Sequence, residues 1–204
     1  MPHSMRVGIF IDGPNLSLTL KLLRAEIDYR RILQYFGMRG RVVRAYYFSV
    51  IDPEPHFQNI QPLIDWLDYN GFSVVTKAGR ETTDPSGRRK LVGRTDVELT
   101  IAALEMADHI DQMVLFSGSA DYRATLRAVQ RKGVRTTVVS TLITNPSVVA
   151  DELRRQADEF LDIATLMPII GREPGERRRA PVEPPMVSPS PVSEEESAAE
   201  SLAN

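Results

Sequence analysis

The sequence predicts an α/β fold in which a mainly parallel sheet carries helices on both faces, giving three layers. Short segments rich in β-branched and aromatic residues alternate with segments whose apolar residues recur at helical spacing. The first strand, residues 6–11, is almost continuously apolar, as expected for a strand covered on both faces. About 165 residues precede a change in composition, and a chain of that length buries roughly 70% of its unfolded surface, enough for one core.

The individual elements follow in chain order from these patterns. The predicted strands cover residues 6–11, 42–50, 72–76, 113–116, 134–139 and 160–163. The predicted helices cover residues 16–23, 28–36, 57–67, 96–107, 122–132 and 146–156. Asn15 is the expected N-cap of the first helix, and Thr95 is the expected N-cap of the fourth. Gly37 is expected to end the second helix.

Two segments lack this periodicity. Residues 79–95 are polar and contain Gly79, Gly87 and Gly93, so we expect a long loop, and loops of that length usually have a function. The second segment begins after residue 168. Six of the 14 prolines follow Gly171, with many Ser and Glu and no aromatic residue. We therefore predict one domain over residues 1–168 and a disordered tail over residues 169–204.

Composition excludes several classes of protein. The chain has no cysteine, which excludes disulfides and thiolate metal sites. It has no apolar run of about 20 residues and no signal-like N-terminus, so we expect a cytoplasmic protein with no membrane contact. The net charge is −2, but the residues from Gly171 onward carry −3, which leaves +1 for the rest. Nucleic-acid binding would therefore depend on local basic patches.

Three aspartates lie at related places in the predicted sheet. Asp12 follows the first strand, Asp121 follows the strand over residues 113–116, and Asp96 begins the helix that leads into that strand. If the two strands are neighbours, the three carboxylates meet at the carboxyl edge, where ligands bind in α/β sheets. Oxygen ligands without Cys or His favour Mg²⁺ or Mn²⁺, which can activate water beside a phosphodiester. Asp96 and Asp121 are equally compatible with helix capping alone.

The motifs around these aspartates resemble a known family. Ile-Asp-Gly-Pro-Asn at 11–15, Thr-Asp-Val-Glu-Leu at 95–99 and Leu-Phe-Ser-Gly-Ser-Ala-Asp-Tyr at 115–122 are similar to NYN domains, above all the bacterial LabA-like (DUF88) group of the PIN-like nucleases. The resemblance covers roughly residues 5–165 and implies a Rossmann-like α/β/α sandwich with a metal-dependent ribonuclease site. It implies that Asp12, Asp96 and Asp121 are catalytic metal ligands. It also places Asn15 and Ser117 at matching motif positions, as substrate-binding residues.

Two positions depart from the family pattern. The family turn typically reads Ser-Gly-Asp-x-Asp-Phe, whereas this chain has Ser119 at the first acidic position. The resemblance also implies a further acid at the position of Ala102. The hydroxyl of Ser119 could hold a water molecule or substrate but supplies no charge. We therefore expect a nuclease activity reduced by Ser119.

Basic residues flank the predicted acidic edge. Arg123, Arg127 and Arg131 recur every four residues, which places them on one helix face. The segment over residues 79–95 adds five more cations: Arg80, Arg88, Arg89, Lys90 and Arg94. A phosphate backbone entering this edge would meet positive charge on two sides, and we assign Arg88, Arg89, Lys90, Arg94 and Arg123 to substrate binding. A solvated helix face and a flexible polar loop are the alternative interpretation.

These observations leave two hypotheses for function. The first is a Mg²⁺- or Mn²⁺-dependent ribonuclease with RNA as its partner. The second is a decayed nuclease fold that binds RNA or a protein without catalysis, which Ser119 motivates. A dinucleotide site would need the Gly-x-Gly-x-x-Gly turn, which is missing, and a haloacid dehalogenase-type phosphatase needs an acid where Pro14 stands. A homodimer is compatible with the sequence, although no motif specifies one.

Overall fold

The computed structural model describes residues 4–52, 60–83, 87 and 89–172. In chain order the strands are β1 Arg6–Asp12, β2 Arg41–Ile51, β3 Ser73–Ala78, β4 Arg80–Thr83, β5 Arg89–Val92, β6 Gln112–Phe116, β7 Arg135–Ser140 and β8 Glu159–Asp162. The helices are α1 Gly13–Leu23, α2 Tyr29–Arg39, α3 Gln61–Tyr69, α4 Asp96–Met106, α5 Arg123–Gln130, α6 Asp151–Gln156 and α7 Ile163–Ile170.

Six of these strands form one parallel sheet in the order β3-β2-β1-β6-β7-β8. The central strand β1 is buried from Val7 to Asp12, because helices cover both of its faces. Its register aligns Ile11 with Phe116 of β6. The strand β6 is therefore the direct neighbour of β1, as the site prediction requires, and the turns after the two strands share one edge.

Two apolar clusters separate the sheet from its two helical layers. One contains Leu16 of α1, Ile32 and Phe36 of α2, and Leu166 of α7. The other contains Leu99 of α4, Leu126 of α5, and Leu153 of α6. The predicted three-layer α/β fold is confirmed. None of the described helices is both long and apolar enough to cross a bilayer.

The predicted loop over residues 79–95 is wrong in part. The strands β4 and β5 pair antiparallel with Thr83 opposite Arg89, so the segment contains a hairpin. Each strand has only four residues, and neither alternates clearly between polar and apolar side chains. The hydrophobic pattern therefore gave no strand signal here.

Element boundaries also differ from the prediction, those of α1, α6 and α2 among them. The N-cap of α1 is Asp12 rather than Asn15, because the Asp12 carboxylate accepts the Asn15 backbone N–H. The helix α6 begins at Asp151 rather than Pro146, because the preceding backbone turns toward the β6 loop and Ala150 N–H donates to Gly118 O at 2.9 Å. The helix α2 passes Gly37 and ends at Arg39.

The C-terminal part of the described chain contains an element the prediction lacked. The helix α7 crosses the predicted domain boundary at residue 168, and Gly171 then pairs with Ile27. Residues 173–204 lie outside the described part, and so do residues 57–59 of the predicted third helix and Arg88. The disordered tail stays a prediction.

Candidate active site

The buried carboxylate at the end of β1 belongs to Asp12, whose residue is only 7% exposed. Its Oδ2 atom accepts the Ser117 hydroxyl hydrogen at 2.8 Å, and its Oδ1 atom accepts the Asn15 backbone N–H at 3.3 Å. Burial raises the pKa of Asp12, although these two hydrogen bonds favour the charged form and act against the rise. Asp12 therefore combines helix capping with a place at the sheet edge.

The turn after β6 is held by hydrogen bonds among its own polar groups and to α1. The Asn15 Oδ1 atom accepts the Gly118 N–H at 2.9 Å, and Ser117 Oγ accepts the Ser119 N–H at 3.2 Å. Ser119 caps the short 3-10 turn over Ala120–Tyr122: its hydroxyl donates to Asp121 Oδ2 at 3.1 Å and accepts the Asp121 N–H at 3.3 Å. The described contacts of Asn15 and Ser117 are thus internal, and their binding of substrate stays a prediction.

A tyrosine hydroxyl contacts Asp96 and lies within the electrostatic reach of Asp12, and sequence reasoning missed this residue. Tyr122 is fully buried, and its hydroxyl donates to Asp96 Oδ1 at 3.2 Å. Burial first, and then the negative charges of Asp12 and Asp96, raise the pKa of Tyr122 far above its usual range. The phenol therefore stays neutral and remains a donor at every physiological pH.

Arg94 bridges Asp96 and Asp121. It lies between β5 and the start of α4, and its Nε atom donates to Asp96 Oδ2 while its Nη2 atom donates to Asp121 Oδ2. The hydrogen bond to Asp96, and then the two negative charges, raise the pKa of Arg94. The side chain of Arg94 is 66% exposed, so this cation lies at the mouth of the site.

The three predicted aspartates thus belong to one connected network. One path runs from Asp12 through Ser117 and Ser119 to Asp121, and a second runs from Asp121 through Arg94 to Asp96. Within the described ranges, however, no group of three or more His, Cys, Asp or Glu residues is already arranged as a metal site. The guanidinium of Arg94, which is not a ligand type, lies between Asp96 and Asp121.

Comparison with known proteins assigns the family. The model of the NYN domain matches residues 6–164. The chain belongs to the NYN domain family. It is 31% identical over 190 residues to the low amplitude and bright protein LabA of Synechococcus elongatus, a match that covers 91% of this chain and 97% of LabA. NYN domains are PIN-like, so the predicted LabA-like kinship within the PIN-like nucleases is confirmed.

A solved structure supports the fold. The crystal structure of a protein of unknown function from Vibrio parahaemolyticus superposes with a TM-score of 0.64 and 24% sequence identity. The superposition covers 80% of this chain and 95% of the Vibrio protein. At this level of identity the likeness establishes the three-layer fold of the NYN domain and nothing about its chemistry.

The candidate donors of this NYN domain are of the chemical type that a hard divalent cation takes, although they are not already arranged around one. All candidate ligands are oxygen atoms: three carboxylates and the hydroxyl of Ser119, contributed by β1, the start of α4 and the turn after β6. Such ligands suit Mg²⁺ and Mn²⁺ rather than Zn²⁺. The position of Arg94 is a second sign of fit, because a cationic group already rests between two of the carboxylates.

Exposed basic side chains lie on α5, just after it, and on the hairpin. Arg123, Arg127 and Arg131 are exposed on or just after α5, which begins directly behind Asp121. Arg80 is exposed on β4. The side chains of Arg88, Arg89 and Lys90 lie outside the described part, so their predicted substrate contacts stay predictions.

Proposed function

We propose that this NYN domain is a ribonuclease that hydrolyses RNA phosphodiester bonds with Mg²⁺ or Mn²⁺. The observation that carries the proposal is the connected set of Asp12, Asp96 and Asp121 at one sheet edge, beside exposed arginines. Such an arrangement combines a site for a divalent cation with a site for a phosphate backbone. The family supports the same reaction class.

In this proposal Asp12, Asp96 and Asp121 hold the cation. When bound, the cation supplies a Lewis acid that activates water and neutralises the charge that develops on the phosphate. Ser117 and the Asn15 N–H orient the Asp12 carboxylate, and the Tyr122 hydroxyl orients Asp96. Arg123 and its neighbours on α5 attract and align the RNA backbone, because guanidinium groups match phosphate oxygens.

The first test measures cleavage of a fluorescent single-stranded RNA in the presence of about 5 mM Mn²⁺. A millimolar concentration of the metal is chosen because it saturates a weak carboxylate site. We expect cleavage by the natural chain, and a loss of at least about 100-fold for Asp121→Asn. The matched control is Asp108→Asn, an exposed carboxylate paired with Lys132 away from the acids. Equal rates for the two variants would overturn the assignment of Asp121.

Ser119 favours a second candidate function, an RNA-binding module without catalysis. A hydroxyl replaces a carboxylate at the centre of the turn, and Arg94 already neutralises part of the remaining charge. This alternative predicts RNA binding that falls with salt but is unaffected by EDTA, and no cleavage by either the natural chain or Ser119→Asp. A cytoplasmic location and a homodimer stay predictions under both functions.

A further inference from the structure

We propose that Arg94 is a built-in counter-ion of the acidic site, which a divalent cation must displace from Asp96 and Asp121 before the site is complete. The inference rests on the proposed metal site. It assigns to Arg94 a function beyond the substrate contact that the sequence predicts. In this view the guanidinium holds the acids together while no metal is bound, and it sets how tightly the metal binds.

The backbone around Arg94 is fixed at the base of the β4–β5 hairpin. A Cβ atom at Gly93 would lie 2.7 Å from Val50 Cγ1, and one at Gly79 would lie at the same distance from the same atom. The residue before β4 and the residue after β5 therefore both pack closely against β2. The Gly79 N–H also donates to Ile51 O at 2.9 Å. The close packing of Gly93 against Val50 fixes the backbone next to Arg94. The base of the hairpin therefore positions the Arg94 side chain beside the acids.

The contacts of Arg94 are with the same carboxylates that the cation needs. Its two donors each occupy an Oδ2 atom, one on Asp96 and one on Asp121. A metal ion bound to these Oδ2 atoms would lie close to the guanidinium, and two positive charges at such a distance repel each other. The metal ion and the guanidinium therefore compete for the two carboxylates, and metal binding releases Arg94.

Release of Arg94 is feasible because the ion pairs are exposed. The side chains of Arg94 and Asp121 are 66% and 55% exposed, and water screens such pairs strongly. Once released, the guanidinium remains tethered beside the metal site, where it can make the bidentate contact with phosphate that arginine favours. Metal binding and RNA binding then strengthen each other through one side chain.

The charge count of the site agrees with this function. Asp12, Asp96 and Asp121 carry at most three negative charges, and Ser119 adds none. With Arg94 in place, an excess of two negative charges remains, and replacing the guanidinium by a divalent cation lowers this excess to one. The exchange therefore leaves one negative charge near the metal and one positive charge free to meet a phosphate.

The experiment compares Mn²⁺ affinities by isothermal titration in the absence of RNA. We expect Arg94→Gln to bind Mn²⁺ about fivefold more tightly than the natural chain, the order of effect expected from losing exposed ion pairs. Arg94→Lys keeps the charge but lacks the planar fork that reaches the two carboxylates through separate nitrogens, so its affinity should lie between the two. Arg80→Gln removes the same charge from the same hairpin and should leave the affinity unchanged.

The outcomes separate this inference from the proposed function. Equal Mn²⁺ affinity for Arg94→Gln and the natural chain would overturn the counter-ion inference, while RNA cleavage would still support the ribonuclease. Equal gains for Arg94→Gln and Arg80→Gln would also overturn it, because the effect would then reflect overall charge. Circular dichroism of each variant establishes that the affinities compare folded proteins, and the absence of Mn²⁺ binding in all four proteins would overturn both proposals.

Discussion

Ser117 donates its hydroxyl hydrogen to the buried Oδ2 atom of Asp12 at 2.8 Å, although the two residues lie 105 positions apart in the chain. This bond ties the end of β1 to the end of β6, the two central strands of the sheet. It also supplies a donor to a carboxylate that burial would otherwise leave poorly solvated. The first motif and the third are therefore one structural unit.

Ser117→Ala should test this unit directly. The substitution removes one of the donors to Asp12 and leaves the carboxylate buried, so we expect a loss of about 1–3 kcal/mol in the free energy of unfolding. Ser49→Ala is the matched control, because Ser49 is equally buried but its hydroxyl lies 3.5 Å from its acceptor, Val50 O. Urea denaturation at pH 7 measures both, and equal losses would contradict the special weight given to the Ser117 bond.

Asp12→Asn should change how stability depends on pH. Burial raises the pKa of Asp12 above its ordinary value of 3.8, so between that value and the raised pKa the folded chain binds more protons than the unfolded chain. The stability that the neutral carboxyl contributes is present at low pH and is lost as the pH rises through the folded pKa. The asparagine cannot ionise. We therefore expect the free energy of unfolding of Asp12→Asn, relative to the natural chain, to be higher at pH 7 than at pH 4.

Two series of urea denaturations, at pH 4 and at pH 7, measure the difference between the two proteins. A difference in the free energy of unfolding that stays constant over this range would show that burial does not destabilise the charged form of Asp12. A free energy of unfolding of Asp12→Asn that falls, relative to the natural chain, from pH 4 to pH 7 would reverse the sign of the inferred pKa shift. Asp108→Asn again serves as the control, since Asp108 is exposed.

The strand pattern predicted the sheet and the edge where the acids meet, because burial on both faces leaves a continuous apolar signal in β1 and β6. The partner of Arg94 could not be predicted in the same way. A long charged side chain can reach many positions, and only the hairpin base at Val50 directs it to Asp96 and Asp121. The four-residue strands of that hairpin are too short and too polar to show periodicity.

The sequence also could not predict the environment of Tyr122, for a different reason. Its place directly after Asp121 was visible in the sequence, but a tyrosine there could equally stack on a base or pack beneath the turn. The structure buries the ring completely and turns the hydroxyl to Asp96, which starts a different helix. The choice depends on how α4 packs against the turn, and that packing is a tertiary contact with no local signal.

Ser119→Asp should raise the affinity for divalent cations. The new carboxylate would lie beside Asp121, whose Oδ2 atom now accepts the Ser119 hydroxyl. The two charges repel without metal and converge on a cation when it binds, so we expect a lower Tm in EDTA and a larger rise with Mn²⁺. Metal affinity should increase by at least about tenfold. Ser119→Asn keeps the shape without the charge, and an equal Mn²⁺-induced rise in both variants would contradict the prediction.

The arginines of α5 should contribute to RNA binding through phosphate contacts. We expect Arg127→Gln to weaken RNA binding and to reduce the slope of log affinity against log salt by about 0.7, the value for one contact to a single strand. Fluorescence anisotropy in EDTA separates this effect from cleavage. Arg41→Gln is the control, because Arg41 is exposed at the amino end of β2, the opposite edge of the sheet. An unchanged slope for Arg127→Gln would contradict a phosphate contact by this face of α5.

Gly118→Ala should disrupt the turn that carries Ser119 and Asp121. A Cβ atom at Gly118 would lie 2.1 Å from the Val148 backbone oxygen, so either the turn or the loop before α6 must move. The move would also strain the hydrogen bond from Ala150 N–H to Gly118 O. We expect a loss of about 2–4 kcal/mol in the free energy of unfolding, in the range of overpacking at a rigid site.

Gly37→Ala is the matched substitution for this test. Gly37 lies inside α2, where an added Cβ would have no heavy atom within 4 Å. Alanine is favoured over glycine in a helix by about 1 kcal/mol, so this variant should be slightly more stable than the natural chain. Opposite signs for the two Gly→Ala substitutions would show that close backbone approach, rather than glycine content, holds the motif turn in place. A neutral effect at Gly118 would mean that the loop before α6 yields at little cost, and that the side-chain hydrogen bonds of Asn15, Ser117 and Ser119 hold the turn instead.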